Sequence, residues 1–170
     1  AALHVLGLPA SSVTFLGAPD GALSSLPPAR EEELLLTLEE LLVAFDPAEV
    51  YLPFRGDQHD DHRATYHLVM KALGRSGRRP LILQYPIWAL ERPWRSGWGW
   101  LELSNLRYVR IDAALPLKQA ALARYRSQLV PQPPHGRQGL PPEFLELFLK
   151  NYELYLPTRE GSCSSPVSST

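Results

Sequence analysis

The sequence predicts an α/β fold, a mostly parallel sheet with flanking helices. Short β-prone runs alternate with helix-period runs, in the order strand, helix, strand, helix, strand between residues 13 and 85; parallel strands joined by crossover helices produce that order. The most chemically loaded string, Arg55 to Ala64, follows directly on a strand run. It therefore falls at the carboxyl edge of the sheet, where open α/β folds bind their ligands.

Each element has its own local reason. Residues 1–7 read as the last turns of a helix with Gly7 as the C-terminal stop; they lack the charged n-region of a signal peptide, so the chain is expected to begin inside a fold. Residues 13–16, Val-Thr-Phe-Leu, are short and β-prone, and Pro19, Asp20 and Gly21 after them carry turn chemistry. Pro27 and Pro28 precede a helix over 29–45, in which Leu34, Leu38, Leu41 and Phe45 share a face and Glu31, Glu32 and Glu33 complement the helix dipole. Asp46-Pro47 ends it. Residues 50–54 form a strand with Pro53 near its C-terminal end, and a second helix over 60–74 presents Ala64, Leu68 and Ala72. The apolar run at 80–85 is the next strand. An aromatic loop over 86–100 leads to a strand at 106–111, a helix at 117–129, a Pro-rich turn and a last helix at 142–156. The small, polar stretch from Gly161 to Thr170 cannot bury enough apolar surface to order itself, and residues 157–170 are expected to form a disordered tail.

The chain has 170 residues, the size of one domain. Seventeen Lys and Arg balance 18 Asp and Glu, a net charge of -1, so no basic surplus points to nucleic acid or to an anionic membrane. The apolar runs at 34–36 and 41–45 are broken by Thr37, Glu39 and Glu40, far short of the roughly 20 residues a membrane span needs. The single cysteine, Cys163, forms no internal disulfide. That suits a reducing, cytoplasmic setting, and it means that thiolates hold no metal here.

The chemistry is concentrated in Arg55-Gly56-Asp57-Gln58-His59-Asp60-Asp61-His62-Arg63-Ala64. Two histidines at i and i+3, at the start of a helix, project from one face and can converge on one ion or one substrate group. A carboxylate that accepts one ring N–H fixes the tautomer of the other nitrogen, as a metal ligand or proton-transferring histidine requires. The plainer reading of the same spacing is that Asp57 or Asp60 caps the helix and the histidines are merely exposed.

These stretches resemble the PIG-L/LmbE-type zinc-dependent N-deacetylases, which remove acetyl groups from N-acetylglucosaminyl and related amides. Phe15 through Gly21 is similar to the family segment ending in Pro-Asp-Gly. Tyr51-Leu52-Pro53-Phe54 leading to His59-Asp60-Asp61-His62-Arg63-Ala64 resembles its His-x-Asp-His signature. Tyr85-Pro86-Ile87-Trp88, the run from Lys118 to Gln128, and Pro141 to Glu153 are similar to its later motifs. The resemblance implies a Rossmann-like, LmbE-like fold over residues 1–156, a zinc cofactor, and an amino-sugar conjugate as small-molecule substrate. It makes His62 a zinc ligand, His59 the residue that steadies the oxyanion or protonates the leaving amine, and Asp61 the acid that orients His59. Asp60 stands where the family most often has proline, and Tyr125 where it often has histidine; both bear on subfamily rather than class.

The family's His-Pro-Asp-Asp-Glu string, which supplies two zinc ligands and the general base, does not occur here. The resemblance therefore implies that the chain is the C-terminal part of such a domain, with the first strands missing, inactive by itself, and prone to associate as a homo-oligomer through an exposed strand edge. His4, His67 and His135 read as structural or surface histidines. Trp94, Trp98 and Trp100 are candidates for a wall that stacks on a sugar ring, with Arg55 a further substrate-binding candidate; Trp88 follows a strand and reads as core. A noncatalytic carbohydrate-binding or partner-binding relic is the alternative. A metal-dependent phosphohydrolase lacks the further His/Asp pairs or phosphate-cradling glycine loop that it needs.

Overall fold

The computed structural model describes residues 1–93, 104–129 and 139–159, which form an α/β fold of helices flanking a four-stranded sheet. The predicted β-α-β center forms as read. Strand β1 (Glu49–Pro53) pairs in parallel with β2 (Leu81–Tyr85), from Glu49↔Leu81 to Pro53↔Tyr85, and a helix over Asp60–Ser76 crosses between them. Gly77 closes that helix at φ 70°, its N–H returned to the Leu73 carbonyl, the left-handed stop that a glycine adopts without a Cβ penalty.

The sheet is mixed rather than mostly parallel. Its order is β1-β2-β4-β3, where β3 is Arg107–Arg110 and β4 is Tyr152–Arg159. β4 runs antiparallel to β2, from Leu81↔Arg159 to Gln84↔Leu156. This corrects the expected helix over 142–156: only Pro142–Glu146 is helical. Tyr152, Leu154 and Leu156 alternate along a strand, and the open side of β2 carries backbone N–H and C=O groups that need partners. Residues 157–159 accordingly belong to a strand and not to a tail; residues 160–170 lie outside the described residues.

The described residues cluster into two compact units. The larger comprises Leu16–Arg107 and the chain from Leu154. Its core joins Leu35 and Leu42 of helix α2 (Pro28–Phe45), Leu52 and Ile82 of the sheet, and Tyr66, Val69, Ala72 and Leu73 of helix α3 (Asp60–Ser76). Both helices bury a face rotated from the one expected. In α2 the stripe runs Leu34, Leu35, Leu38, Leu42, leaving Phe45 73% exposed; in α3 it runs Tyr66, Val69, Ala72, Leu73, with Leu68 at its margin. Ion pairs lace the helices together along the outer side: Glu31 with Lys71 at 2.8 Å, and Arg75 with Glu32 and Glu39 at 2.6 and 3.2 Å. A second cluster, Phe54, Ala89 and Leu156 with Leu106, packs behind the loop that leaves β1.

The expected strand at 13–16 does not form, and Phe15 stands 90% exposed. β-propensity expresses packing against strand neighbours, and these residues have no ladder partner. Residues 17–23 continue as a loop across α3, described with the site below.

The smaller unit comprises Ala1–Phe15 and Tyr108–Glu153. Helix α1 (Ala2–Val5) packs on α5 (Leu115–Leu122), and Gly7 after α1 sits at φ 73°, where the sequence places a helix stop. The helix expected over 117–129 breaks into α5 and α6 (Arg126–Leu129), following the short α4 (Trp88–Glu91) in chain order and preceding α7 (Pro142–Glu146). Tyr108 stacks on Tyr152 at 4.6 Å, and Lys118 pairs with Glu153 at 2.9 Å. Among the described residues no helix is long and apolar enough to cross a membrane.

Candidate active site

The loop after β1 turns sharply into α3, and its polar residues come to lie on and just before the first turn of the helix. His59 is the N-cap residue. Its backbone is extended, and its Nδ1 accepts the N–H of Asp61 at 3.2 Å, which satisfies one of the four amides that a helix start leaves open. The cap is thus an imidazole and not Asp57 or Asp60, the residues that the plainer reading favoured. Asp60 instead pairs with Arg63, whose guanidinium also donates to the Asp57 carbonyl at 2.7 Å.

Asp57 is the buried center of the site, 1% exposed. Its Oδ1 accepts the His59 N–H at 3.2 Å and lies 3.2 Å from His62 Nδ1; its Oδ2 accepts the N–H of Ile87 at 3.0 Å and that of Ala89 at 3.4 Å. Burial pushes this carboxyl up, but the hydrogen bonds from His62, His59 and Ile87 outweigh it and hold the group below its ordinary range. The carboxylate therefore joins the strand-end loop, the start of α3 and the start of α4.

The hydrogen bonds assign opposite tautomers to the two histidines. A carboxylate only accepts, so His62 carries its proton on Nδ1 and leaves a lone pair on Nε2. His59 accepts at Nδ1, so the neutral ring carries its proton on Nε2. The rings stack with centroids 4.7 Å apart and planes 29° apart. Side by side, the pair offers one nitrogen that can bind an electrophile or a proton and one N–H that can donate to a developing negative charge.

Asp61 lies between the two histidines in sequence, as the reading of the motif requires, but it reaches His59 through its backbone N–H. Its carboxylate turns the other way, accepting Gly21 N–H at 2.6 Å and Leu23 N–H at 3.0 Å. Arg55 is exposed at the mouth of the loop, its N–H held by Gln84 Oε1 at 2.9 Å. Trp94, Trp98, Trp100 and His135 lie outside the described residues. His4 and His67 are exposed.

Asp57 and Gln84 are the site residues that sequence reasoning passed over, the first weighed only as a cap. Both leave a signal: Asp57 opens an Asp-x-His-x-x-His string directly after a strand, and Gln84 is the polar member of the apolar run 81–85. Gln84 is buried, and its Nε2 donates to Thr158 Oγ1 at 2.8 Å, so it ties the start of the Arg55 loop to β4.

A catalytic zinc takes three protein ligands and keeps an open position. The His62 tautomer suits one of these, but among the described residues no group of three or more His, Cys, Asp or Glu side chains could hold a metal ion. The described residues therefore do not fit a complete zinc site.

Residues 1–73 match the family model described as PIG-L: GlcNAc-PI de-N-acetylase. The matched stretch includes both Pro19-Asp20-Gly21 and the string from Asp57 to Ala64, so the resemblance read from those two motifs holds over that part of the chain. No curated protein matches the chain. Among solved structures, the conserved protein TT1542 from Thermus thermophilus superposes with a TM-score of 0.57 at 22% identity, covering 99% of this chain and 74% of the other. The two proteins share the α/β fold.

Proposed function

We propose that the protein contributes the histidine-bearing side of a PIG-L-type N-deacetylase site that hydrolyses the N-acetyl amide of an N-acetylglucosaminyl or related amino-sugar conjugate, in the cytoplasm. The observation that carries this reading is the stacked pair of imidazoles with opposite tautomers, set by Asp57 on one side and by the Asp61 amide on the other. In amide hydrolysis, water adds to the carbonyl carbon, the oxygen gains charge, the C–N bond breaks, and a proton goes to the departing amine. His59 Nε2–H is the donor that the charged oxygen needs, or the acid for the amine. Asp57, by accepting from His62 Nδ1, orients the ring so that Nε2 is the nitrogen that would serve as one zinc ligand supplied by this chain. Arg55 and the tryptophans Trp94, Trp98 and Trp100 are the proposed sugar-binding side chains, aromatic faces suiting the apolar face of a pyranose.

One zinc ligand does not complete a catalytic center, so the chain by itself is expected to release no acetate. The test is acetate release from an N-acetylglucosaminyl substrate with zinc present, by this chain and by the chain joined to a preceding segment that bears His-Pro-Asp-Asp-Glu. Release by the joined form is expected to fall roughly 10²–10³-fold in His59→Ala with zinc retained, whereas His62→Ala loses zinc and activity together. A joined form that folds and binds zinc yet releases no acetate would overturn the enzyme reading in favour of a noncatalytic relic, the reading that the incomplete donor set supports.

A further inference from the structure

We propose that Asp61 is a positioning residue that clasps the 17–23 loop to the first turn of α3, so that its carboxylate serves the loop and not the ring of His59. Both carboxylate oxygens are committed across the fold: Oδ2 to the Gly21 N–H at 2.6 Å and Oδ1 to the Leu23 N–H at 3.0 Å, contacts spanning 40 and 38 residues of sequence. Hydrogen bonds to an ionised acceptor are the stronger kind, and two amides converging on one carboxylate fix orientation as well as distance.

The loop is shaped to meet that carboxylate. Ala22 N–H donates to the Pro19 carbonyl at 3.4 Å, closing a turn with Asp20 and Gly21 at its corner. Gly21 sits at φ 77°, the value that the third position of a type II turn requires. A Cβ there would meet nothing within 4 Å, so backbone conformation and not space calls for glycine. At its other end the loop is tied to α2, where Arg30 Nη2 donates to the Leu16 carbonyl at 2.9 Å. Residues 17–21 belong to no helix or strand, so these two straps contribute to their order in place of a helix or strand ladder.

The consequence rests on the reading of His59 and His62 as the active site: the loop is then held against the helix turn that carries both histidines, and Asp61 fixes one wall beside them. His59 keeps its own contact, because that contact uses the Asp61 backbone N–H, which any residue other than proline supplies.

Amide hydrogen exchange on the full chain, without substrate, tests the clasp independently of any activity. In Asp61→Ala the Gly21 and Leu23 amides are expected to exchange about tenfold faster or more, while Leu73 and Ile82 keep their protection and the nitrogen-15 signature of the His59 Nε2–H tautomer is unchanged. Asp61→Glu, which retains the carboxylate on a longer arm, is expected to restore part of the protection. Should the alanine variant fail to fold, Asp61→Asn retains one acceptor oxygen and is expected to protect one of the two amides and release the other. Unchanged exchange at both amides in a folded Ala or Asn variant overturns the proposal. So does loss of the His59 tautomer with the loop still protected, which would return the carboxylate to the imidazole. Failure of the deacetylase reading leaves these exchange rates untouched.

Discussion

His62 Nδ1 lies 3.2 Å from Oδ1 of Asp57, a carboxylate that is almost wholly buried and that accepts three backbone amides as well. One acid thus sets the proton of an imidazole and pins three chain segments, so its loss is felt in stability before it is felt in chemistry.

Asp57→Ala is expected to lower the unfolding free energy by about 2–4 kcal/mol, since it leaves the Ile87 and Ala89 amides without an acceptor, and an unsatisfied buried donor costs about 1–3 kcal/mol. Urea unfolding measures it. A loss below about 0.5 kcal/mol would show that water replaces the carboxylate freely.

The same carboxylate makes an acid-sensitive contribution. Its pKa is lowered in the folded state, so the unfolded chain binds the proton more readily, and the stabilisation is full above the ordinary carboxylate range of about 4. It is lost as pH falls through the lowered folded value. Unfolding midpoints measured from pH 7 downward should fall less steeply in Asp57→Asn than in the unsubstituted protein. Parallel curves would contradict this assignment.

In the core, Leu73→Ala is expected to cost about 2–5 kcal/mol, because Leu73 is fully buried among the side chains that join α2, α3 and the sheet. Phe45→Ala, on the exposed end of α2, is expected to stay within about 0.5 kcal/mol of the original. The pair of denaturation curves checks the rotated face of α2: a large loss at Phe45 would restore the stripe that helical spacing alone suggested.

Arg75 pairs with Glu32 and Glu39 across the helices, and Glu32 is held below its ordinary pKa by the Arg75 hydrogen bond. The contact is solvent-exposed and therefore screened. Arg75→Ala is expected to lower Tm slightly at low ionic strength and not at all in sodium chloride at about 1 M, where the screening length shrinks to about 3 Å. A loss that persists at high salt would mean that packing of the arginine stem is responsible.

Among the described residues β1 is an edge strand of the sheet, with Glu49 and Tyr51 exposed along it. Unpaired strand edges template pairing with other chains, so light scattering is expected to show concentration-dependent association that a charge at Tyr51 weakens. A monodisperse monomer at all concentrations would remove the homo-oligomer from the reading.

Local spacing and turn residues were enough to specify the β1-α3-β2 unit, the helix stop at Gly7, and the place of the chemistry at a strand's carboxyl end. They also pointed to the His59/His62 pair, though not for the reason that helical spacing suggests: His59 is the extended N-cap residue and only His62 is helical, yet their rings stack. That residues 152–159 form an antiparallel strand came from contacts distant in the chain: a short run of Tyr and Leu suits either period until β2 offers it an open edge. The partners of the two aspartates were chosen the same way. Asp57 and Asp61 are four residues apart and chemically identical, and which one meets an imidazole depends on where Ile87, Ala89, Gly21 and Leu23 bring their amides from distant parts of the chain.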